Sequence, residues 1–288
     1  MFWMPETIEE LISTLKERND DTWLCAGGTD LVIASREKKK FHFSLIDLTH
    51  LPDLRRIEST EDCLLIGSAV TMDELERSPV ISSELPALAK AASMVGSTQI
   101  RNRATIGGNV ANASQSSDLT PVLMAYDAVA VILDDEGNKR ELSVDELVSG
   151  LGKTVLGPRE VILYFYIKDR EKEDSYSSFS KVGSRKAVTI SKLNACGRGV
   201  VKDAVLTDVV IYLGAVGPKG KKAPLIEAAL EGKKLSELPC IELKDAVYRQ
   251  IEENIPDRSS KHYKKSAAFG LICDIVEDFK SWEKGGKM

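Results

Sequence analysis

Apolar residues at Ile8, Leu11, Ile12 and Leu15 recur with helical spacing, which predicts an amphipathic helix over residues 7–18. Thr7-Ile8-Glu9-Glu10 has the form of a capping box at its start, and Asn19-Asp20-Asp21 ends it. Thr22-Trp23-Leu24-Cys25 then reads as a short buried strand. A turn at Gly27-Gly28 leads into a helix over 30–38, with Asp30 in position to cap it. The run Lys38-Lys39-Lys40 reads as a solvated helix end that favours the helix dipole. A strand over 44–48 completes an α-β-α-β unit.

The pattern changes after Leu54. A strand is expected over 63–67, and Thr71-Met72-Asp73-Glu74 opens a short helix with a second capping box. Ala- and Leu-rich residues 85–94 predict a buried helix. A further helix runs from an Asp118 N-cap to about residue 126, with Pro121 tolerated in its first turn. Strands over 128–133 and 139–142 form a hairpin about Asp135-Glu136-Gly137-Asn138, followed by a strand over 161–167. The almost wholly charged run 168–174 marks a domain boundary. Strands over 175–182, 192–201 and 208–213 precede helices over 224–232, 242–254 and 261–279, and 282–288 reads as a mobile tail. The whole is an α+β protein, without internal repeats or low-complexity segments.

Composition restricts the function classes. The 288 residues are 43% hydrophobic and 29% charged, with a formal net charge of −5, which gives no general attraction to nucleic acid or anionic membranes. No apolar run approaches the roughly 20 residues that span a bilayer, and the first residues lack the basic and apolar regions of a secretory signal. The five cysteines, Cys25, Cys63, Cys196, Cys240 and Cys273, are scattered without a C-x-x-C, and the three histidines are equally dispersed. An iron–sulfur cluster or zinc site carried by this chain is therefore not expected, and a reducing, cytoplasmic setting is. Cys25 reads as a core thiol.

Two segments carry the candidate chemistry: Ala26-Gly27-Gly28-Thr29-Asp30-Leu31 and Thr105-Ile106-Gly107-Gly108-Asn109-Val110-Ala111-Asn112. Each sets a glycine pair between apolar and polar residues. Without a Cβ, backbone N–H groups can turn inward and form an anion-binding concavity. Two such segments could grip a diphosphate from two sides. On local evidence the ordinary-turn reading leads, since roughly one or two glycine pairs are expected by chance in a chain this long; the third pair is Gly285-Gly286. Neither segment fits the Rossmann or P-loop pattern.

Taken together and in order, these segments with Gln99-Ile100-Arg101-Asn102, Ser117-Asp118-Leu119, Phe179-Ser180-Lys181, Gly214-Ala215-Val216-Gly217-Pro218 and Asp257-Arg258-Ser259-Ser260 with Tyr263 resemble the FAD-binding subunit of molybdenum hydroxylases. That family includes the flavin subunits of xanthine, carbon monoxide and nicotinate dehydrogenases. The resemblance covers nearly the whole chain. It implies a two-subdomain FAD-binding module of the vanillyl-alcohol-oxidase type, over 1–54 and 55–170, and a C-terminal α/β domain of sheet and helices over 175–280. It places the FAD diphosphate on the backbone of Ala26, Gly27, Gly28, Thr29, Asp30 and Leu31, and on Thr105, Gly108 and Asn109. Gly96, Ile100 and Ala104 match small or apolar contact positions. Asn112, Ser117 and Asp118 match positions around the diphosphate, ribose and adenine, and Leu156 and Lys181 match positions nearer the flavin and the rim. Asp118 is left as N-cap, ribose ligand or both; Lys181 as flavin contact or surface residue; Arg101 and Arg103 as diphosphate cations or salt-bridge partners.

By the same resemblance, a large partner subunit holds molybdopterin, a small one holds 2Fe–2S clusters, and FAD on this chain passes electrons to NAD+ or another acceptor. Xanthine or purine oxidation is the expected type, with no acid–base residue of this chain essential. The hydroxybenzoyl-CoA reductase type is disfavoured by the missing cysteine group. The alternatives are a self-contained FAD oxidoreductase of the same fold, and a scaffold subunit without FAD.

Overall fold

The computed structural model describes residues 1–37, 42–168, 175–238 and 240–283. Lys38-Lys39-Lys40, residues 169–174 of the charged run and Gly285-Gly286 lie outside them.

The first unit is a parallel sheet of three strands, β1 (Phe2–Trp3), β2 (Thr22–Cys25) and β3 (Ser44–Asp47), in the order β1-β3-β2. Helix α1 (Ile8–Lys16) buries Leu11 and Leu15 completely. Only half of the expected capping box forms at its start. Thr7 Oγ1 accepts from Glu10 N, but the Glu10 carboxylate takes the N–H of Glu6 at 2.8 Å. Strand β1 is too short to show a period in sequence, and it exists because Phe2 and Trp3 add to the open edge of β3. Helix α2 (Leu31–Glu37) crosses between β2 and β3.

The second unit is an antiparallel sheet in the order β4-β5-β10-β6-β7. Its strands are β4 (Ile57–Ser59), β5 (Leu64–Gly67), β6 (Val129–Leu133), β7 (Lys139–Ser143) and β10 (Val161–Ile167), and a small hairpin of β8 (Val148–Gly150) and β9 (Lys153–Thr154) lies beside it. Helices α3 (Met72–Arg77), α4 (Pro79–Glu84), α5 (Pro86–Ser93), α6 (Thr98–Arg101), α7 (Ile106–Asn112), α8 (Leu119–Ala125) and α9 (Val144–Leu147) fill the connections. The capping box at Thr71 and Glu74 is complete. Ser78 then ends α3 and caps α4, with Pro79 in the first turn, so one polar residue and one proline break what would otherwise be a continuous helix.

The third unit is an antiparallel sheet of β11 (Ser175–Val182), β12 (Leu193–Lys202), β13 (Val205–Gly214) and β14 (Lys221–Lys222), with β15 (Lys233–Lys234) also paired to β13. Helices α10 (Pro224–Leu230), α11 (Lys244–Asn254) and α12 (Lys261–Glu283) follow. The last helix continues through residues 282 and 283, past the end at 279 that the sequence pattern predicts. Alternation along the strands buries both faces of this sheet. Leu193, Ala195, Ile211 and Leu213 join the core under the C-terminal helices, whereas Phe179 and Cys196 face the other way into the core of the second unit. The second and third units therefore share one apolar interior, and together the three form the mixed α+β architecture expected from the sequence.

Phe179 is fully buried in that shared interior. Phe179→Ala is expected to destabilise the protein by about 3–5 kcal/mol. Equilibrium urea unfolding checks this, and the two units should still unfold in one transition.

Candidate functional site

The carboxyl ends of β2 and β3 open onto a cavity of about 360 Å³ whose opposite wall comes from the second unit. Ligands commonly bind outside the carboxyl ends of parallel strands, because the strand-to-helix turns converge there. The first wall is the turn from Ala26 to Asp30 with Leu31 and Ala34 of α2. The second wall includes Ile100, Ala104, Thr105, Gly108, Asn109 and Asn112, with Leu156 closing one side. Thirteen of the expected site residues thus face one space: Ala26, Gly27, Gly28, Thr29, Asp30, Leu31, Ile100, Ala104, Thr105, Gly108, Asn109, Asn112 and Leu156.

The two glycine segments have different jobs. A Cβ on Gly27 would stand 2.0 Å from the Arg103 carbonyl oxygen, so the first turn lies directly against the backbone of the second wall. Among the described residues, the N–H groups of Ala26, Gly27, Gly28, Thr29 and Asp30 donate to no protein acceptor. This row of free donors fits the concavity read from the sequence. The amides of the second segment are already committed. Ile106 N donates to Val70 O, Gly107 N to Ser68 O, Gly108 N to Thr105 Oγ1 and Asn109 N to Thr105 O. Gly107 is needed for packing, since a Cβ there would meet Ser68 Cβ at 2.6 Å. What the second wall offers the cavity is therefore side chains rather than a second row of amides.

Four expected residues do not line the cavity. Gly96 lies behind it, where a Cβ would press on Ile100 at 2.8 Å. Ser117 sits one hydrogen bond back, its hydroxyl donating to Asn109 Oδ1 at 2.6 Å. Asp118 holds the N-cap position of α8, but its backbone is already helical and its side chain caps no amide; the Thr120 N–H goes to Ser117 Oγ instead. Its carboxylate instead accepts from Lys181 Nζ at 2.6 Å, Ser191 Oγ at 2.5 Å and Asn194 Nδ2 at 2.9 Å. Lys181 is no surface residue, because its side chain is only 3% exposed and that of Asp118 only 8%. The ammonium also donates to Met94 O at 2.8 Å, which ties β11 to the segment just before Val95 in the cavity wall. Polar side chains bury at such positions only when nearly every donor is matched, as here.

Electrostatics separate the remaining candidates. Arg101 forms a salt bridge to Glu76 at 2.8 Å, the structural role rather than the diphosphate one. Arg103 is exposed, and its charge opposes the upward shift of the Cys25 thiol pKa caused by burial and by Asp47. Cys25 lines the cavity instead of lying in a core, and its raised pKa keeps it a thiol rather than a reactive thiolate. Sequence reasoning passed over Ser68 and Glu160, both of which line the cavity. Glu160 is held below the usual carboxylate range by the Arg140 guanidinium, with hydrogen bonds of 2.7 and 2.8 Å, and it also accepts from Gly157 N. A lone glutamate ahead of an apolar strand carries no periodic signal, so only the fold reveals it.

Against known proteins, residues 1–167 match the FAD binding domain in molybdopterin dehydrogenase, and residues 178–279 match the CO dehydrogenase flavoprotein C-terminal domain. This chain belongs to the FAD-binding subunits of the molybdopterin hydroxylases. It is 31% identical to the nicotinate dehydrogenase FAD-subunit of Eubacterium barkeri, over 99% of this chain and 97% of that one. It is 28% identical to a putative xanthine dehydrogenase FAD-binding subunit of Escherichia coli, over 94% and 91% of the two chains. Among solved structures, it superposes on carbon monoxide dehydrogenase from Hydrogenophaga pseudoflava, lacking the Mo-pyranopterin moiety, with a TM-score of 0.84, 25% identity and coverage of 96% and 95%. The residues of the FAD-binding domain fit that cofactor. Five N–H groups without a protein acceptor among the described residues suit a diphosphate, and the seating of Gly27 on Arg103 O, where a Cβ would clash, brings this turn up to the second wall of the cavity.

Two outcomes follow from the charges. Lys181→Met should destabilise the protein by about 3–5 kcal/mol, because it strands the buried Asp118 carboxylate, as urea unfolding would show. Glu160 has a folded pKa below its unfolded value, so its stabilisation is full above the unfolded pKa and is lost as pH falls through the folded one. Arg140→Gln should therefore flatten the acid limb of stability measured from about pH 5 down to pH 3.

Proposed function

We propose that this chain is the flavin electron-transfer subunit of a multi-subunit molybdenum hydroxylase of the xanthine or purine dehydrogenase type. It works in the cytoplasm with an iron–sulfur subunit and a molybdopterin subunit. Electrons from 2Fe–2S clusters on the small partner pass through FAD here to NAD+ or another acceptor. The observation that carries the reading is that five backbone N–H groups without a protein acceptor among the described residues belong to a turn lining a cavity between two units. That arrangement matches a doubly charged diphosphate and leaves the rest of the cavity for the ring systems.

When bound, FAD supplies the ability to take electrons singly or in pairs, which suits it to join a one-electron carrier to a two-electron acceptor. The chain's own residues hold and shield it. The turn from Ala26 to Asp30, with Leu31 behind it, holds the diphosphate from one side. Asn109 and Asn112 face it from the other, and Thr105 and Gly108 shape that wall. Ile100, Ala104 and Leu156 exclude water along the apolar walls, with Gly96 allowing Ile100 its position. Asp118 serves the ribose and adenine end, and Lys181 the region nearer the flavin and the rim. From its buried place behind the cavity the carboxylate holds three donors, so it acts on that end by fixing the wall rather than by touching the ribose. The proposed divisions at 1–54, 55–170 and 175–280 follow the three sheets. A nicotinate-type complex is the second reading, favoured by the 31% identity to a nicotinate dehydrogenase subunit.

The purified chain should show flavin absorbance bands and release FAD rather than FMN on heating. A colourless protein that also fails to take up added FAD would overturn the reading in favour of a scaffold role. In the assembled complex, xanthine with NAD+ should support turnover where nicotinate does not. The reverse result would select the second reading.

A further inference from the structure

Ser117 and Asp118 begin the same helix, yet their hydroxyl and carboxylate point into separate networks. The Ser117 hydroxyl is fully used. It accepts from Thr120 N at 3.1 Å and from Thr120 Oγ1 at 2.7 Å, and its single proton goes to Asn109 Oδ1 at 2.6 Å. Both residues are buried, Ser117 at 5% exposure and Thr120 at 3%. A hydroxyl has one proton and two lone pairs, so with both lone pairs occupied it can only donate to its third neighbour. Asn109 must then present its carbonyl oxygen to Ser117.

The opposite arrangement fails. If the Asn109 amide donated to Ser117, Ser117 would donate to Thr120, and the Thr120 hydroxyl proton would have no acceptor among the described residues. Leaving that buried donor unmade carries a penalty that the observed direction avoids. A carboxamide in isolation turns over freely between its two faces, and the two faces are opposite in hydrogen-bonding sense. The buried relay removes that freedom. With the oxygen fixed on Ser117, Asn109 Nδ2 has no protein partner among the described residues, and Asn109 lines the cavity. The amide hydrogens are then the part of the side chain left for a ligand. They face the same space as the free N–H groups of Ala26 to Asp30.

We infer that Thr120 and Ser117 are positioning residues that set the Asn109 carboxamide with its N–H groups toward the cavity, making it a donor to an anionic or carbonyl oxygen of the bound cofactor. The inference rests on the reading of the cavity as the FAD site. It makes Ser117 a support for a ligand rather than a ligand itself. It also compensates for the second glycine segment, whose amides are spent inside the fold. The donor on that wall is a side chain held by a relay from α8.

The test is FAD titration of the apoprotein, followed by flavin fluorescence, together with melting of the apoprotein. Ser117→Ala, which removes the hydroxyl that holds the Asn109 oxygen, should weaken FAD binding about tenfold, the scale of one lost charge-assisted hydrogen bond. Asn109→Asp, at a partly exposed position, leaves the Ser117 contact in place but turns an oxygen to the cavity, so it should lose at least as much. In an Asn109→Ala background, Ser117→Ala should have no further effect on FAD binding, since the two act as one unit. Equal binding by wild type and Ser117→Ala, or by wild type and Asn109→Asp, overturns the inference while leaving FAD binding intact. Undiminished loss from Ser117→Ala in the Asn109→Ala background also overturns it, showing a general packing effect. A wild-type protein that binds no FAD overturns the underlying reading instead.

Discussion

The structure depends on one close approach: the Gly27 backbone lying against the Arg103 carbonyl, where even a single Cβ would come within 2.0 Å. It brings the end of a parallel strand onto the wall of a different, antiparallel unit. Both glycine segments acquire their place from it, one as a row of open amides and the other as a tightly packed support. Remove that approach and the cavity has one wall. The Gly107–Ser68 contact performs the same service inside the second unit, where it fixes the α7 turn against the end of β5.

A second constraint keeps the C-terminal unit from being a mere attachment. Its sheet is covered by its own helices on one face and by α5 and α8 on the other, so Phe179 and Cys196 belong to the core behind the cavity. The buried Lys181–Asp118 pair adds a polar tie at the same junction. Burying such a pair contributes little net stability by itself. Its value lies in register: three donors and one carboxylate from separated segments must meet in one geometry. The cavity wall near Val95 is thereby fixed by a residue more than eighty positions away.

The site combines two kinds of donor for physical reasons. Free backbone amides occur at the first turn because no strand or helix there can use them. On the second wall the amides are consumed by the α7 cap and by Val70 and Ser68, so polar contact passes to Asn109. A side-chain donor is less rigid than a backbone one, and its second layer, Ser117 and Thr120, carries the burden of orientation.

Sequence alone determined the elements with clear periods: α1, the strands at 161–167 and 175–182, and the capping box at Thr71. There the local pattern and the fold agree, because burial on one face needs only neighbours along the chain. The ordered motifs also determined the family, and thirteen of the seventeen expected site residues line one cavity. Tertiary structure decided what depends on a distant partner. Strand β1 exists by pairing with β3, and the Glu10 carboxylate takes the Glu6 amide in place of the Thr7 one. Asp118 stands at the N-cap position that the local sequence predicts, but three donors from the C-terminal unit claim its carboxylate. Glycine pairs look alike in sequence; whether their N–H groups stay open depends on which carbonyls the fold brings to them.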